Sequence, residues 1–195
     1  DACIEGELLR VDQAKIEVAA LPFSEPHNLL NAMAAGLVAQ SFCDEVSLES
    51  LITFKPLANR LEWLGERDGI RIVNNSMCTN PSAVVSSSES IAARQHLLVG
   101  GKGKQNSFEP LRQYLGRTPH RVYVFGEDGP LIREDLGMDL PVFHSLQEAF
   151  SSAVNAAHNG DVVMLAPGCA SQDQFVDFTH RAEVFKQLAK EWLKQ

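Results

Sequence analysis

The sequence lacks the features that mark membrane-embedded, secreted or zinc-binding proteins. No apolar run approaches the ~20 residues of a membrane-spanning helix, and the first residues lack the basic and apolar regions of a signal peptide. The 4 cysteines are scattered, without a C-x-x-C pair or a histidine at metal-ligand spacing. We therefore expect reduced thiols, no zinc site, no transmembrane helix and a cytoplasmic location.

The sequence also lacks a cluster of lysine or arginine residues. Its formal net charge is -8 and its pI is about 5.2, so neither nucleic acid nor an anionic membrane is an expected partner. Any phosphate-bearing ligand must then be held by local donor groups. Hydrophobic residues make up 45% of the 195 residues, which predicts a packed core rather than disorder.

The first 55 residues predict a hairpin followed by helices. Residues 3–11 and 16–21 have extended patterns with a turn at Asp12-Gln13, and a helix is expected from His27. The apolar face of that helix is predicted to comprise Leu29, Leu30, Met33, Ala34, Leu37 and Val38. Residues 47–54 predict a shorter helix with Ser47 as its N-cap. A connector containing Pro56 follows, so we expect a domain boundary there, with residues 1–55 before it and 56–195 after it.

The remainder alternates between strand and helix patterns. Strands are predicted at residues 70–73, 96–99, 121–125, 142–143 and 161–166. Helices are predicted at residues 81–93, 108–115, 129–136, 146–158 and 173–193, the first of them with Asn80 as N-cap and Pro81 at its first position. This alternation predicts an α/β fold, a mostly parallel sheet with helices on both faces.

Polar segments follow four of these strands. They are residues 74–80, 100–104, 126–129 and 166–175. The carboxyl ends of parallel strands lie on one edge of a sheet, so these segments are expected to form one ligand site there.

Several of these residues have more than one interpretation. The 100–104 loop departs from G-x-x-x-x-G-K-[ST] at Leu98 and Gln105, so it predicts a ligand-facing loop with one cation, Lys104, rather than a nucleotide P-loop. Ser171 is either a hydrogen-bond donor or the N-cap of the last helix. Asn28 and Asn31 either cap a helix or bind a base or phosphates. Cys169 has no evident activating base, so a catalytic thiol is not expected.

Five motifs in this order resemble the Mur ligase family, most closely its UDP-N-acetylmuramoyl-L-alanine:D-glutamate ligase branch. They are His27-Asn28-x-x-Asn31-Ala32, Phe54-x5-Arg60-x-Glu62, Asn74-x-Ser76-x-x-Thr79-Asn80, Gly100-Gly101-x-Gly103-Lys104 and Pro167-x-Cys169-Ala170-Ser171-x-Asp173-Gln174-Phe175-x-x-Phe178. The resemblance continues through Arg181 and Phe185. It implies an enzyme of peptidoglycan precursor synthesis, which phosphorylates a carboxylate with ATP so that an amino acid amine can attack the acyl phosphate.

The resemblance also implies roles for individual residues and ligands. Residues 56–195 would be a Rossmann-like, amino-acid-binding C-terminal domain, and residues 1–55 the incomplete tail of a central ATP-binding domain. The implied nucleotide contacts are Asn28, Asn31, Arg60 and Asn75. The implied amino-acid contacts are Thr79, Lys104, Ser171, Gln172 and Phe178. ATP and Mg²⁺ would serve the intact enzyme, whose substrates would be glutamate and a UDP-muramoyl-alanine type of acceptor.

Three positions depart from the family pattern. Asn59 stands in place of a histidine, Asn75 in place of a ribose-binding aspartate, and Met77 in place of a lysine. They leave open a related amide ligase with another amino acid or acceptor, similar to folylpolyglutamate synthase, and a non-catalytic binding module of ligase ancestry.

The sequence contains no P-loop, no acidic cluster for Mg²⁺ and no candidate for the carbamylated lysine of the family. The resemblance therefore implies that the isolated chain has no ligase turnover. An incomplete central domain would also leave apolar surface uncovered, which predicts self-association.

Overall fold

The polypeptide divides into two compact units, residues 1–57 and 58–195. The computed structural model describes residues 1–24, 26–43, 45–55, 57–103 and 106–195, without the side chains of Pro26 and His27. Within these ranges no helix is both long enough and apolar enough to cross a membrane.

The smaller unit contains an antiparallel three-stranded sheet. Its strands are β1 (Ala2–Glu5), β2 (Leu8–Val11) and β3 (Ala14–Glu17). The predicted turn at Asp12-Gln13 joins β2 to β3, but the expected continuous segment 3–11 is interrupted by a second turn. That turn contains Gly6 in the left-handed region at φ 61°. The predicted extended segment 16–21 is also shortened, because Val18–Ala20 is a 3-10 turn.

Helix α1 (Pro26–Gln40) packs on this sheet with a face that differs from the predicted one. Leu29, Ala32 and Met33 are buried, whereas Leu30 is 61% exposed. Gly36 belongs to the buried face because a Cβ at this position would lie 2.8 Å from Val11 Cγ2. The other predicted members of the apolar face, Ala34, Leu37 and Val38, are also exposed.

The segment after α1 contains a 3-10 helix (Glu49–Thr53) rather than the predicted helix over 47–54. Leu48 is its N-cap residue, so the expected N-cap role of Ser47 is wrong. Ser47 Oγ instead accepts a hydrogen bond from the Glu49 N–H at 3.3 Å.

The larger unit is built on a six-stranded sheet. Its strands are β4 (Glu62–Arg67), β5 (Ile70–Asn74), β6 (Gln95–Gly100), β7 (Arg121–Phe125), β8 (Val142–Phe143) and β9 (Val162–Leu165). Their order in the sheet is β4-β5-β9-β6-β7-β8. Only the edge strand β4 is antiparallel to its neighbour among the described pairs. The predicted mostly parallel sheet is therefore confirmed, with β4 as an element that the sequence patterns did not predict.

Helices cover both faces of this sheet. They are α2 (Pro81–Glu89), α3 (Glu109–Leu115), α4 (Gly129–Leu136), α5 (Leu146–Ala156) and α6 (Phe178–Leu193). Val84, Leu111 and Ile132 place α2, α3 and α4 in one apolar core. Phe150 and Phe185 place α5 and α6 in the core on the opposite face, where their rings meet edge to face.

The last helix begins five residues later than predicted from the pattern, at Phe178 rather than at 173. Its N-cap is Asp177, whose side chain accepts a hydrogen bond from the His180 N–H at 2.7 Å. The N-cap interpretation of Ser171 is therefore wrong. Ser171 is buried in the turn before the helix, where its carbonyl accepts the Phe175 N–H.

Candidate site at the strand ends

Backbone hydrogen bonds join the loops that follow the parallel strands. The Asn75 N–H donates to Leu165 O and the Gly100 N–H donates to Pro167 O, both at 2.9 Å. The Gly168 N–H donates to Cys78 O at 2.9 Å. These bonds connect the loops after β5, β6 and β9, so their polar residues belong to one edge of the sheet.

The glycine-rich loop uses its backbone amides for internal contacts. The Gly101 N–H donates to Phe125 O, and the Lys102 N–H donates to Ala170 O. The Gly103 N–H donates to Asp128 Oδ2 at 2.5 Å. Each of these three amides is bonded within the unit, so Gly101, Lys102 and Gly103 offer no free backbone N–H to a phosphate.

Arg181 is the largest fully buried side chain in the described chain. Its Nε donates to Ser76 Oγ at 3.1 Å and its Nη2 donates to Ser76 O at 2.9 Å. Its Nη1 donates to Cys169 O at 3.1 Å and to Ala170 O at 3.3 Å. Burial lowers the pKa of Arg181 to about 10, so the guanidinium remains charged at neutral pH.

The sequence patterns gave Arg181 no role, although a signal was present. Arg181 lies four residues before Phe185, which in turn lies four residues before Ala189, and all three are buried on α6. An arginine within an apolar stripe at this spacing indicates a buried guanidinium.

Ser76 joins the loop after β5 to the beginning of α6. Its Oγ donates to Phe178 O at 2.7 Å while it accepts from Arg181 Nε. Phe178 is the first residue of α6, and it is 38% exposed. The serine hydroxyl is therefore used as both donor and acceptor inside the unit.

The residues with implied amino-acid contacts lie on the loops that Arg181 and Ser76 join. Thr79 is half-buried in the loop after β5, and Ser171 is buried in the loop after β9. Gln172 is exposed in the same loop. Lys104 lies outside the described residues; it follows Gly103 directly in the chain.

The residues with implied nucleotide contacts belong to separate units. On α1 of the smaller unit, Asn31 is exposed and Asn28 is partly buried. In the larger unit Arg60 is exposed, whereas Asn75 is only 3% exposed. Asn75 Oδ1 accepts the Leu61 N–H at 3.3 Å, and its Nδ2 donates to Ser87 Oγ at 2.8 Å, so its amide is occupied within the fold.

Asn59 has a structural reason for being asparagine. It has φ 65°, in the left-handed region that asparagine tolerates better than most residues. Its Oδ1 accepts from Asn74 Nδ2 at 3.1 Å, and its N–H donates to Glu62 Oε2 at 2.9 Å. Met77, the third departure from the family pattern, is 40% exposed.

Glu62 anchors the sheet edge beside this segment. Its Oε2 accepts from Asn59, from Asn74 Nδ2 at 3.0 Å and from Lys186 Nζ at 3.1 Å. Partial burial acts to raise the pKa of Glu62, but the hydrogen bonds from these donors outweigh it and the pKa is lowered. The carboxylate therefore stays ionised and holds β4, β5 and α6 together.

The two buried thiols near the strand ends are protonated at neutral pH. Burial raises the pKa of both Cys78 and Cys169 to about 12. A thiolate is the nucleophilic form of cysteine, so this environment does not activate either sulfur. Among the described residues, no group of three or more His, Cys, Asp or Glu side chains is arranged to hold a metal ion.

Comparison with known proteins identifies the family to which this unit is similar. The family described as Mur ligase, glutamate ligase domain, matches residues 59–169. A relative from Methylobacillus flagellatus, named UDP-N-acetylmuramoylalanine--D-glutamate ligase, is 36% identical over 186 residues. That alignment covers 93% of this chain but 41% of the relative, so the chain spans less than half of the relative's length.

Solved structures share the fold at lower sequence identity. A bifunctional folylpolyglutamate synthase/dihydrofolate synthase from Yersinia pestis superposes with a TM-score of 0.68 at 16% identity, covering 96% of this chain and 45% of that one. A MurF ligase from Thermotoga maritima in complex with ADP gives a TM-score of 0.62 at 18% identity, covering 98% and 46%. At these identities the superpositions establish the fold alone.

Proposed function

We propose that this chain, which belongs to the Mur ligase family, forms the amino-acid-binding part of an ATP-dependent ligase that adds glutamate to UDP-N-acetylmuramoyl-alanine. The observation that carries the proposal is the joining of the loops bearing Thr79 and Ser171 through one buried guanidinium. These loops lie within a unit whose sequence matches a glutamate ligase domain. In the proposed reaction the amine of the amino acid attacks an acyl phosphate and inorganic phosphate leaves.

The chain's contribution to the reaction is to bind and orient the amino acid. Lys104 would pair with a carboxylate of the ligand, and the hydroxyls of Thr79 and Ser171 would donate hydrogen bonds to it. Gln172 would add an amide donor from the same loop as Ser171. Phe178 would supply an apolar wall through its exposed ring. When the two carboxylates of glutamate are held, the direction of its amine is fixed, which lowers the entropy cost of the attack on the acyl phosphate.

The chain would hold only part of the nucleotide. Asn31 and Arg60 present exposed donor groups, which suit a nucleotide base or phosphate, and Asn28 lies one turn from Asn31. Asn75 is 3% exposed and bonded to Leu61 and Ser87, so a ribose could contact it only after the surrounding residues move. When bound, ATP supplies the phosphoryl group that activates the carboxylate. We assign no Mg²⁺ ligand to this chain, because its described residues contain no group of three or more His, Cys, Asp or Glu side chains that could hold a metal ion.

One specific observation supports a second candidate, a related amide ligase that uses another amino acid or acceptor. Met77 presents an exposed apolar side chain where the family pattern has a lysine. A pocket bordered by a thioether rather than an ammonium binds a second carboxylate less strongly. Such a ligase would prefer a less acidic amino acid over glutamate.

Binding of glutamate tests the proposed pocket. We expect calorimetry to show that the folded chain binds glutamate and that Lys104→Ala weakens the affinity about tenfold or more, because a charge-assisted pair contributes about 1.5–3 kcal/mol. Lys102→Ala is the matched control. Its side chain is 54% exposed and its Nζ lies 3.8 Å from Glu127 Oε1, so its removal should leave the affinity unchanged.

The outcomes of that titration separate the candidates. Preference for D-Glu over L-Glu supports the muramoyl ligase assignment, and preference for a less acidic amino acid supports the second candidate. A folded chain that binds no amino acid contradicts both and indicates a binding module of ligase ancestry. With ATP and an acceptor present, we expect no amide product from the chain alone, since it carries no P-loop.

Self-association is expected from the exposed apolar residues of the smaller unit. Leu30 and Val38 on α1 are each 61% exposed, and Phe42 just after the helix is also exposed. Apolar surface of this kind favours association between copies. Native mass spectrometry should detect dimers that Leu30→Glu combined with Val38→Glu converts to monomers. A clean monomer for the unmodified chain at micromolar concentration would contradict the expectation.

A further inference from the structure

We propose that Arg181 is a positioning residue for the amino-acid pocket: its buried guanidinium sets the placement of the loops that carry Thr79 and Ser171 relative to each other and to the loop containing Lys102. The proposal rests on the proposed function, because it concerns the same pocket. Arg181 itself is fully buried and would not touch the ligand. It would act through the backbone of the three loops.

The guanidinium contacts two loops directly and a third through one carbonyl. It donates to Ser76, three residues before Thr79, and to the carbonyls of Cys169 and Ala170, immediately before Ser171. Ala170 O also accepts the Lys102 N–H, and the Lys102 carbonyl accepts the Ala170 N–H. One planar cation therefore fixes the spacing between the loops after β5 and β9. Through Ala170 it also fixes the position of Lys102 in the loop after β6.

The same cation also fixes the residue proposed as the pocket wall. Phe178 precedes Arg181 by three residues on α6, so both lie on neighbouring positions of one helix face. Ser76 Oγ bridges them, because it accepts from Arg181 Nε and donates to Phe178 O. A shift of the guanidinium would therefore move the helix start and the loop after β5 together.

The chemistry of the contact indicates more than packing. Its acceptors are a hydroxyl and three backbone carbonyls, and none of them is a carboxylate. Burying a charge against neutral acceptors is expensive, and apolar side chains of similar volume often stabilise such sites better. Unlike an apolar side chain, the planar guanidinium of arginine carries five N–H donors in fixed directions, which can hold several loops in one geometry.

The substitution Arg181→Lys tests this role because it keeps the positive charge but removes the planar set of N–H donors. We expect the affinity for glutamate, measured by calorimetry on the 195-residue chain, to fall by about tenfold or more. We also expect faster amide hydrogen exchange at Lys102, whose N–H bonds to Ala170 O. Both measurements are made where circular dichroism and thermal melting show a folded chain.

A second variant and a matched control complete the test. Ser76→Ala removes only the hydroxyl that joins Arg181 to Phe178, and it should also lower the affinity for glutamate. It therefore tests the proposal even if Arg181→Lys does not fold. Arg67→Ala is the control. It removes another arginine that anchors α6, through a 2.7 Å bond from Nη1 to Trp192 O. It should lower the melting temperature without changing glutamate affinity or Lys102 exchange.

The results distinguish this proposal from the proposed function. If the unmodified chain binds no amino acid, the proposed function is overturned, and Lys102 exchange still decides whether Arg181 positions the loops. If the unmodified chain binds glutamate and both Arg181→Lys and Ser76→Ala bind it equally well, with unchanged exchange, the positioning role is overturned. The positioning role is also overturned if Arg181→Lys and Arg67→Ala, compared at equal stability, lose the same amount of glutamate affinity.

Discussion

The Gly100→Ala variant is expected to lose about 4 kcal/mol or more of the free energy of unfolding of the larger unit. Gly100 ends β6 at φ 154°, where side chains are rarely tolerated. A Cβ at this position would lie 1.9 Å from Phe125 O and 2.9 Å from Phe125 N. Both atoms belong to the backbone of the neighbouring strand β7, so the clash cannot be relieved by a change of rotamer.

Urea unfolding monitored by circular dichroism measures this loss, and Gly116→Ala provides the matched control. Gly116 has φ -63° at the end of α3, and the atoms nearest to a Cβ there are at 3.6 Å and 3.7 Å. Alanine at that position should be neutral or stabilise the unit by up to about 1 kcal/mol. A Gly100→Ala protein as stable as Gly116→Ala would contradict the strand-end packing described above.

The second large effect is expected at the opposite edge of the sheet, where Asp161→Ala should destabilise the larger unit by about 2–3 kcal/mol. His96 is fully buried at the beginning of β6, and its Nε2 lies 3.1 Å from Asp161 Oδ2. Its Nδ1 lies 2.9 Å from the Tyr123 hydroxyl. Removing the carboxylate leaves a buried ring N–H without its acceptor, and it also removes the acceptor of the His158 N–H.

Thermal and denaturant unfolding of Asp161→Ala measure that effect, with Asp139→Ala as the control. Asp139 is exposed in the loop after α4, so its removal should change stability by no more than about 0.5 kcal/mol. Equal stability of the two variants would mean that the His96 contact contributes nothing.

This pair also gives the larger unit a pH dependence of defined sign. Burial lowers the pKa of His96 below its ordinary value of 6.5, so the folded protein keeps the ring neutral while the unfolded chain takes up a proton. Burial acts to raise the pKa of Asp161, but hydrogen bonds from His158 and His96 outweigh it and the pKa is lowered. Both shifts reduce stability as the pH falls, first below about 6.5 and then through the range of carboxylate titration.

Unfolding free energies of the unmodified chain and of His96→Gln, measured between pH 8 and pH 4, isolate the histidine contribution. Burial also lowers the pKa of His120, which is common to both proteins and cancels in the difference. The difference between the two should shrink as the pH falls below about 6.5. A difference that is constant with pH would show that His96 titrates alike in the folded and unfolded states.

Local sequence signals predicted several elements to the residue. Strand β7 and helix α4 have the predicted bounds, and each is followed directly by a glycine, Gly126 and Gly137. Asn80 caps α2 through the Ala83 N–H at 2.8 Å, as the Asn-Pro pair predicted. The family resemblance was also confirmed, by the match over residues 59–169.

The errors arose where burial depends on distant partners. The face of α1 was misjudged because its apolar residues lie all around the helix, and only contact with the three-stranded sheet selects the buried side. Strand β4 was missed because it is an edge strand with charged residues at both ends and a bulge between Trp63 and Gly65. The late start of α6 was missed because only Ser171 was considered as its N-cap, whereas the structure caps the helix with the side chain of Asp177.

The sequence by itself determined the alternation of strands and helices, the family and the four polar segments at the strand ends, since these depend on residues close together in the chain. Only the tertiary structure decided which polar groups are already used within the fold. Asn75 bonds to Leu61, 14 residues away, and Arg181 bonds to Ser76, 105 residues away. A hydrogen-bond partner so far away in the chain produces no pattern in the local sequence. A polar residue that is bonded within the fold therefore cannot be distinguished, from the sequence alone, from one that binds a ligand.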